Sequence, residues 1–411
     1  MDTAFYFFRP AVASGRLLKH SLRIFSTPCC QRKKYQAHPC ETKYRIDPDT
    51  LFERGACMSG ILQTALLTAL AVSCLFASSC QGDGKAKPET NPPLAPECET
   101  LVPPAPAKNL AEWSDLRYGF GPVYSQAWSS NGELLFTADT GDIRVWEPLS
   151  GKQCSLLTGH EDFVIGLALS DADGTGHQVL ASGSRDGSVR LWSTGTLELI
   201  STLHIEGLLC LAWEPRSRWL TVGTESGRLG VWDTENLKEI LGENGDSAVL
   251  SLAWAPDGSS LACGTLAGHI RVFAINVARK SARAGATWNT SSGVNALAWS
   301  PDGARLASVG QDGRLTIWKP SDGSPSLVIQ AHAGWARGLA WSPDGTYIAT
   351  GGEDKRIRIW LAESGEEYAG QHHNNLPVWS VSWAPDNVYV ASGGGGDGQP
   401  HVGATIVWKI P

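Results

Sequence analysis

"SLAWAPDGSSLACG" (251–264), "ALAWSPDGARLASVG" (296–310) and "GLAWSPDGTYIATGG" (338–352) are three copies of one pattern. Each is a short apolar run ending in Trp, then a turn of Pro, Asp and Gly, then a second apolar run. Pro presets its backbone angle for the turn, Asp bonds the local backbone, and Gly accepts the left-handed conformation. The two runs therefore read as strands of a hairpin. Weaker copies are "SQAWSSNGELLFTA" from Ser125, "GLALSDADGTGHQVLASG" from Gly166, "CLAWEPRSRWLTVG" from Cys210 and "SVSWAPDNVYVASG" from Ser380. The last large residues of the first runs are Trp128, Leu169, Trp213, Trp254, Trp299, Trp341 and Trp383, spaced by 41, 44, 41, 45, 42 and 42 residues. Such self-similarity marks a repeat architecture.

A second marker follows each first one, at Trp146, Trp192, Trp232, Phe273, Trp318, Trp360 and Trp408. Tight turns such as "RDGSVRLW" around Asp186, "QDGRLTIW" around Asp312 and "EDKRIRIW" around Asp354 precede it. Each unit thus reads as an antiparallel meander of an apolar strand, a second strand, a third ending in Trp and a variable fourth. No apolar run shows helical spacing, so the fold class is all-β.

The repeats resemble the WD-repeat family, in seven copies over about 300 of the 411 residues. The resemblance implies a seven-bladed β-propeller of four-stranded antiparallel blades around a central channel, with the "LAW" strand innermost. It also implies hydrogen-bonded tetrads. Blade 2 carries the full set in His160, Ser182, Asp186 and Trp192, and blade 6 in His332, Thr350, Asp354 and Trp360. Other blades depart: blade 3 keeps His204 but has Ser226 at the Asp position, blade 5 has Thr290 at the His position, and blade 4 has Gly245, Ala267 and Phe273. The chain stops three residues after Trp408, so the seventh blade lacks its own outer strand. An uncovered edge invites aggregation. The segment "LAEWSDLRY" (110–118) is expected to supply that strand and close the ring.

A recurring Trp is first a packing residue, since burying one removes roughly 150 to 250 Å² from water. Twelve of the 17 Trp occupy the two repeat markers; Trp113, Trp219, Trp288, Trp335 and Trp379 remain. Trp113 falls in the closing segment, Trp219 in a second strand and Trp288 in a connection. Trp335 and Trp379 lie near the starts of inner strands. In the resembling fold, the face where inner strands start also carries the second-to-third-strand turns. It would display Tyr124, Arg337 and Trp379 from strand starts, and Arg185, Glu225, Gln311 and Glu353 from the turns. "GQHHNNLPVW" from Gly370 and "GGGGDGQPHVG" from Gly393 add to that face. His372, His373, Asn374 and Asn375 are expected to join Trp335, Arg337 and Trp379 in one partner-binding patch, since aromatic and Arg anchors are what hot spots favour. The bland alternative tucks both Trp between blades.

Other chemistry is weak. "DADGTGH" from Asp171 lacks the closing Glu of a calcium loop, and the glycines at 393–396 have no Lys-Ser pair after them. Nucleophile, base and orienter do not occur together, no cofactor or metal is expected, and catalysis is not. Residues 112–411 carry 21 basic and 32 acidic side chains, net −11, which excludes a phosphate-binding surface for nucleic acid. Cys210 and Cys263 read as small core hydrophobes.

Seven of the ten Cys precede residue 100. From Met58, "MSGILQTALLTALAVSCLFASSC" runs 23 residues without a charge. It is short for a spanning helix and has the form of a signal peptide with small residues before a cysteine. It resembles a bacterial lipoprotein signal (58–80), in which Cys80 would be lipidated; Cys74 is the second choice, and Ala77 stands where that signal usually has Leu. An uncleaved anchor and a plain secretory signal are the alternatives. Residues 81–109 form a proline-rich linker, and 110–411 the propeller. Residues 1–57 remain unassigned. Met58 is the only other methionine, so translation is expected to begin there, with a basic targeting peptide as the competing reading.

Together these readings describe a non-catalytic platform for protein partners, lipid-anchored in a bacterial cell envelope. The alternatives are an enzyme or small-ligand binder using the channel mouth, and an intracellular scaffold in the cytoplasm.

Overall fold

Five of the seven hairpins between first and second strands close on a glycine or asparagine held at positive φ, Gly132 (73°), Gly258 (70°), Gly303 (69°), Gly345 (73°) and Asn387 (61°), while Gly176 (82°) and Arg216 (78°) take such an angle in the connections of blades 2 and 3. Only glycine, and with some strain asparagine, adopts that angle readily, so the turn sequences set the hairpins directly. The computed structural model describes residues 108–117, 121–172, 176–276, 281–373, 375–396 and 403–411. Within them the strands form seven four-stranded antiparallel sheets, six of which use consecutive strands. The blades span 125–157, 164–204, 208–244, 249–289, 294–330, 336–372 and, for the seventh, 378–409.

The seventh sheet closes the ring. Its outer strand is Ala111–Arg117, paired antiparallel with Gly403–Lys409, Ala111 facing Lys409 and Arg117 facing Ala404. Leu116 from this strand packs with Leu135 and Trp146 of blade 1 and with Ala391 and Val407 of blade 7. Leu110, just before it, enters the cluster between blades 6 and 7 with Ile357, Ile359 and Trp408. Asn109 adds a parallel bridge to Gly370 in the outer strand of blade 6, and Lys108 Nζ donates to Tyr368 Oη at 3.0 Å. The closing element is thus tied to both of its neighbouring blades.

There is no single core. Seven apolar clusters are present among the described residues, each spanning the junction of two adjacent blades. The second strands lie deepest, as in Trp219–Thr224, where every residue is buried, and the outer strands are largely exposed. Trp288 corrects the sequence reading. It sits in the outer strand of blade 4 (Ser281–Asn289), not in a connection, and stacks on Trp318 at 5.8 Å.

A second set of bonds crosses the junctions. The inner-strand indoles donate to inner-strand carbonyls of the preceding blade: Trp128 to Ser382, Trp213 to Ala168, Trp299 to Ala253, Trp341 to Ala298 and Trp383 to Ala340. Trp254 donates instead to Thr221 Oγ1 at 3.0 Å. Blade 2 has Leu169 at this position, which has no such donor.

Candidate functional site at the channel mouth

In six blades the register of inner against second strand shifts at one residue: Ile165, Leu209, Leu250, Asn295, Arg337 or Trp379. Each is an unpaired bulge residue between a buried neighbour, such as Val164 or Val378, and the paired strand. Bulges re-aim the side chain they release. Tyr124 takes the same place in blade 1, immediately before its inner strand. These seven half-buried residues form a ring at one end of the channel.

Over blades 6, 7, 1 and 2 this ring becomes a ladder of aromatic and guanidinium groups. The Arg337 guanidinium lies 4.7 Å from the Trp335 ring centroid and 4.1 Å from that of Trp379. Trp379 meets Tyr124 edge to face at 5.5 Å, and Tyr124 meets Phe163 at 5.8 Å. Arg185 covers Tyr124 at 5.9 Å and Phe163 at 5.6 Å. Glu353 orients the first rung: its carboxylate accepts from Arg337 Nε at 3.2 Å and Nη2 at 2.6 Å. The Glu353 and Trp335 backbones are joined by a hydrogen bond of 2.9 Å. Trp379 Nε1 donates to the Gly395 carbonyl at 3.1 Å. Trp335 is 38% exposed, so the ladder ends on an open indole face.

The complete tetrads stand under the two ends of this ladder. In blade 2, His160 Nδ1 is 2.9 Å from Asp186 and Nε2 is 2.8 Å from Ser182 Oγ, which accepts from Trp192 Nε1 at 2.9 Å. In blade 6, His332 is 2.8 Å from Asp354 and 2.8 Å from Thr350 Oγ1, which accepts from Trp360 Nε1 at 2.8 Å. Asp186 follows Arg185, and Asp354 follows Glu353. His160 and His332 each lie three residues before Phe163 and Trp335. Each tetrad therefore locks both the loop and the turn that carry ladder residues.

The tetrad charges are fixed by this packing. Burial pushes the His160 and His332 imidazoles below their usual pKa, against the pull of Asp186 and Asp354. Burial alone would raise the aspartates. Donors from Ser188, the Glu161 N–H and His160 outweigh it and bring Asp186 down to about 2. His332 and Arg358 likewise hold Asp354 well below the usual carboxylate range. The working state is a neutral imidazole against a carboxylate.

Not every expected residue joins the patch. His373 is a correction: it is fully buried, with Nε2 3.2 Å from the Ser392 carbonyl and its ring packed near Trp408. It occupies the histidine position of blade 7, beneath the surface. His372 is exposed at the end of the blade 6 outer strand, its Nε2 2.9 Å from Arg356 Nη2, and makes no ring contact with the ladder. Glu225 and Gln311 occupy the equivalent turns of blades 3 and 5, away from these rungs. His204 of blade 3 is exposed, and Ser226 bonds Thr224 instead. Asn374, residues 397–402 of the blade 7 insertion, the 58–80 segment with Cys80, and the linker up to residue 107 lie outside the described residues. Sequence reasoning missed Phe163. The signal was its position, one residue before the buried Val164, as Trp335 stands before Ala336.

The model of the "WD domain, G-beta repeat" matches residues 116–147, 151–193, 197–233, 235–273, 285–319, 323–360 and 367–402. The guanine nucleotide-binding protein subunit beta of Schizosaccharomyces pombe is 45% identical over 73 residues, 18% of this chain and 23% of that protein. Periodic tryptophan protein 2 of Arabidopsis thaliana is 37% identical over 102 residues, 24% of this chain and 11% of that one. COMPASS component SWD3 of Saccharomyces cerevisiae is 26% identical over 123 residues, 27% and 38% of the respective chains. The similarity spans well under half the length of each relative. The first six matched segments take all or part of the outer strand of one blade and the inner three of the next, and the last, ending at 402, takes the outer strand of blade 6 and the first two strands of blade 7, so the repeats interlock around the ring. Seven such segments cover more than half of the sequence, and the chain belongs to the WD-repeat family.

Proposed function

We propose that this chain is a non-catalytic interaction platform whose protein partner docks over the channel mouth on blades 6, 7, 1 and 2. The ladder from Trp335 through Arg337, Trp379, Tyr124 and Phe163 to Arg185 carries the reading. It offers rigid aromatic faces and oriented guanidinium groups, the side chains that dominate binding energy at interfaces. The names of two relatives, a subunit of a guanine nucleotide-binding protein and a COMPASS component, support assembly into complexes. Among the described residues no group of three or more His, Cys, Asp or Glu stands together as a metal site. Affinity capture with the wild type and with the Trp379→Ala, Arg337→Ala double variant tests the proposal: specific partners are lost from the variant, and an unchanged set of partners rejects it.

We propose further that the propeller is tethered to a membrane through a lipid on Cys80. The uncharged run before that cysteine and the proline-rich linker after it support the tether. Palmitate labelling that survives Cys80→Ser, with the protein still in the membrane fraction, rejects Cys80 as the anchor.

A further inference from the structure

Blade 5 carries three of the four tetrad groups and lacks the ring that would join them. Trp318 Nε1 donates to Ser308 Oγ at 2.8 Å, matching the indole bonds in blades 2 and 6. Asp312 sits at the turn, with Oδ1 accepting from the Arg314 N–H at 3.1 Å. The histidine position holds Thr290, whose hydroxyl is turned away to the Ser292 and Gly268 carbonyls at 2.6 and 2.9 Å. An open cleft of about 230 Å³ lies in its place, lined by Thr290, Ser308, Asp312 and Trp318 among others. The Ser291 hydroxyl donates to Asp312 Oδ2, on the carboxylate that accepts a histidine N–H in the complete blades.

We infer that this cleft is a binding site for a neutral imidazole ring, taken up from outside the blade. The two complete tetrads are internal templates for the recognition. Their imidazoles place one ring nitrogen on the aspartate and the other on the strand hydroxyl, at 2.8 to 2.9 Å. In blade 5 the ring N–H donates to Asp312 in place of Ser291, and Ser308, which already accepts from Trp318, donates its proton to the other nitrogen. The ring must be neutral for that pairing, because a protonated imidazole has no acceptor to meet the Ser308 hydroxyl. A cleft shaped by the deletion of a side chain binds a molecule of the deleted shape, as apolar cavities bind apolar rings. Blade 4 marks the limit of the idea. Its cleft of about 330 Å³ is larger, but Cys263, Ala267 and Phe273 replace the strand hydroxyl, the aspartate and the indole, and no polar pair is left to hold a ring.

The test is the thermal unfolding of the whole chain with imidazole at about pH 8.5. A five-atom ring with two hydrogen bonds binds in the millimolar range, so 50 mM raises the melting temperature by roughly 2 °C. Ser291→Ala frees the aspartate and increases the shift, Ser308→Ala abolishes it, and Thr290→His, which fills the cleft, abolishes it while raising the basal melting temperature. N-methylimidazole, lacking the N–H, gives no shift. N-acetylhistidine amide distinguishes the source: a shift points to histidine presented by a partner chain, and none to a free heterocycle. Equal shifts in the wild type and Ser308→Ala, or with imidazole and N-methylimidazole, overturn the site.

Discussion

Arg337 and Trp379 lie 42 residues apart in sequence on neighbouring blades, yet the guanidinium of one stands 4.1 Å from the ring centroid of the other. Each occupies the bulge position of its inner strand, so the same local irregularity in two adjacent repeats produces the contact. The Glu353 carboxylate accepts two hydrogen bonds from the same guanidinium. A double-mutant cycle in urea with Arg337→Ala and Trp379→Ala is expected to return a coupling of about 0.5 to 2 kcal/mol. Additive losses would show that the pair shares space without interacting.

The tetrads make stability depend on acid. His160 and His332 have folded pKa values below their unfolded ones, so the unfolded chain takes up protons first. Stability from these two is complete above about pH 6.5 and falls as pH drops through the unfolded histidine value. Asp186 and Asp354 are also depressed, and their contribution is lost further down, as pH falls below about 4 toward their folded values. Melting temperatures from about pH 8 down to about pH 2 are expected to decline in two stages, the first in the histidine range and the second below about pH 4. The His160→Gln, His332→Gln variant, less stable at pH 8, loses the first stage; an unaltered profile would assign the acid sensitivity elsewhere.

Blade 2 is the weak seam of the ring. With Leu169 in the place of the inner-strand Trp, the junction between blades 1 and 2 lacks the indole bond that the other six have. Amide exchange is expected to be fastest at this junction among the inner strands. Leu169→Trp gains about 1 kcal/mol if its indole reaches the Ala127 carbonyl. A loss of stability would mean that the junction is packed too tightly to accept the ring.

Closure rests on Ala111–Arg117. A chain starting at residue 108 is expected to melt with the intact protein, whereas one starting at residue 118 loses the buried Leu110 and Leu116 and uncovers the edge of Gly403–Lys409. Two buried leucines contribute about 3 to 6 kcal/mol. Equal melting temperatures for the two truncations would contradict the role given to the strand.

Most of the scaffold is legible in the sequence because turn chemistry and the Trp markers recur at a nearly fixed spacing, and each recurrence is a local property of the chain. The need for a strand at 110–118 is legible too, since the seventh repeat has only three strands of its own. The patch is legible only in part. That Trp335 and Arg337 share a face follows from their blade, but that Arg337 lies against Trp379 depends on two bulges and the blade-to-blade rotation, which no short window contains. His373 shows the failure most clearly. It stands five residues before the buried Val378, where His160 and His332 stand four before theirs, so the position count misses it and the adjacent histidines look alike. Burial separates them: one supports Trp408 and the other faces solvent. Trp288 reads as a connection because the residues that alternate with it along the blade 4 outer strand are only Ala282, Ala284 and Ala286, side chains too small to announce a buried face.

The pairing of Ala111 with Lys409 joins residues 298 positions apart. Contacts of that span form slowly, because the loop must be ordered before the contact rewards it. The first strand of the domain to leave the ribosome therefore waits for the last, and an unpaired edge persists through the synthesis of all seven blades. Once closed, the same topology works in reverse: the first and last blades stay joined until this one strand lets go. The lifetime of the folded ring is set at the seam where its two ends meet.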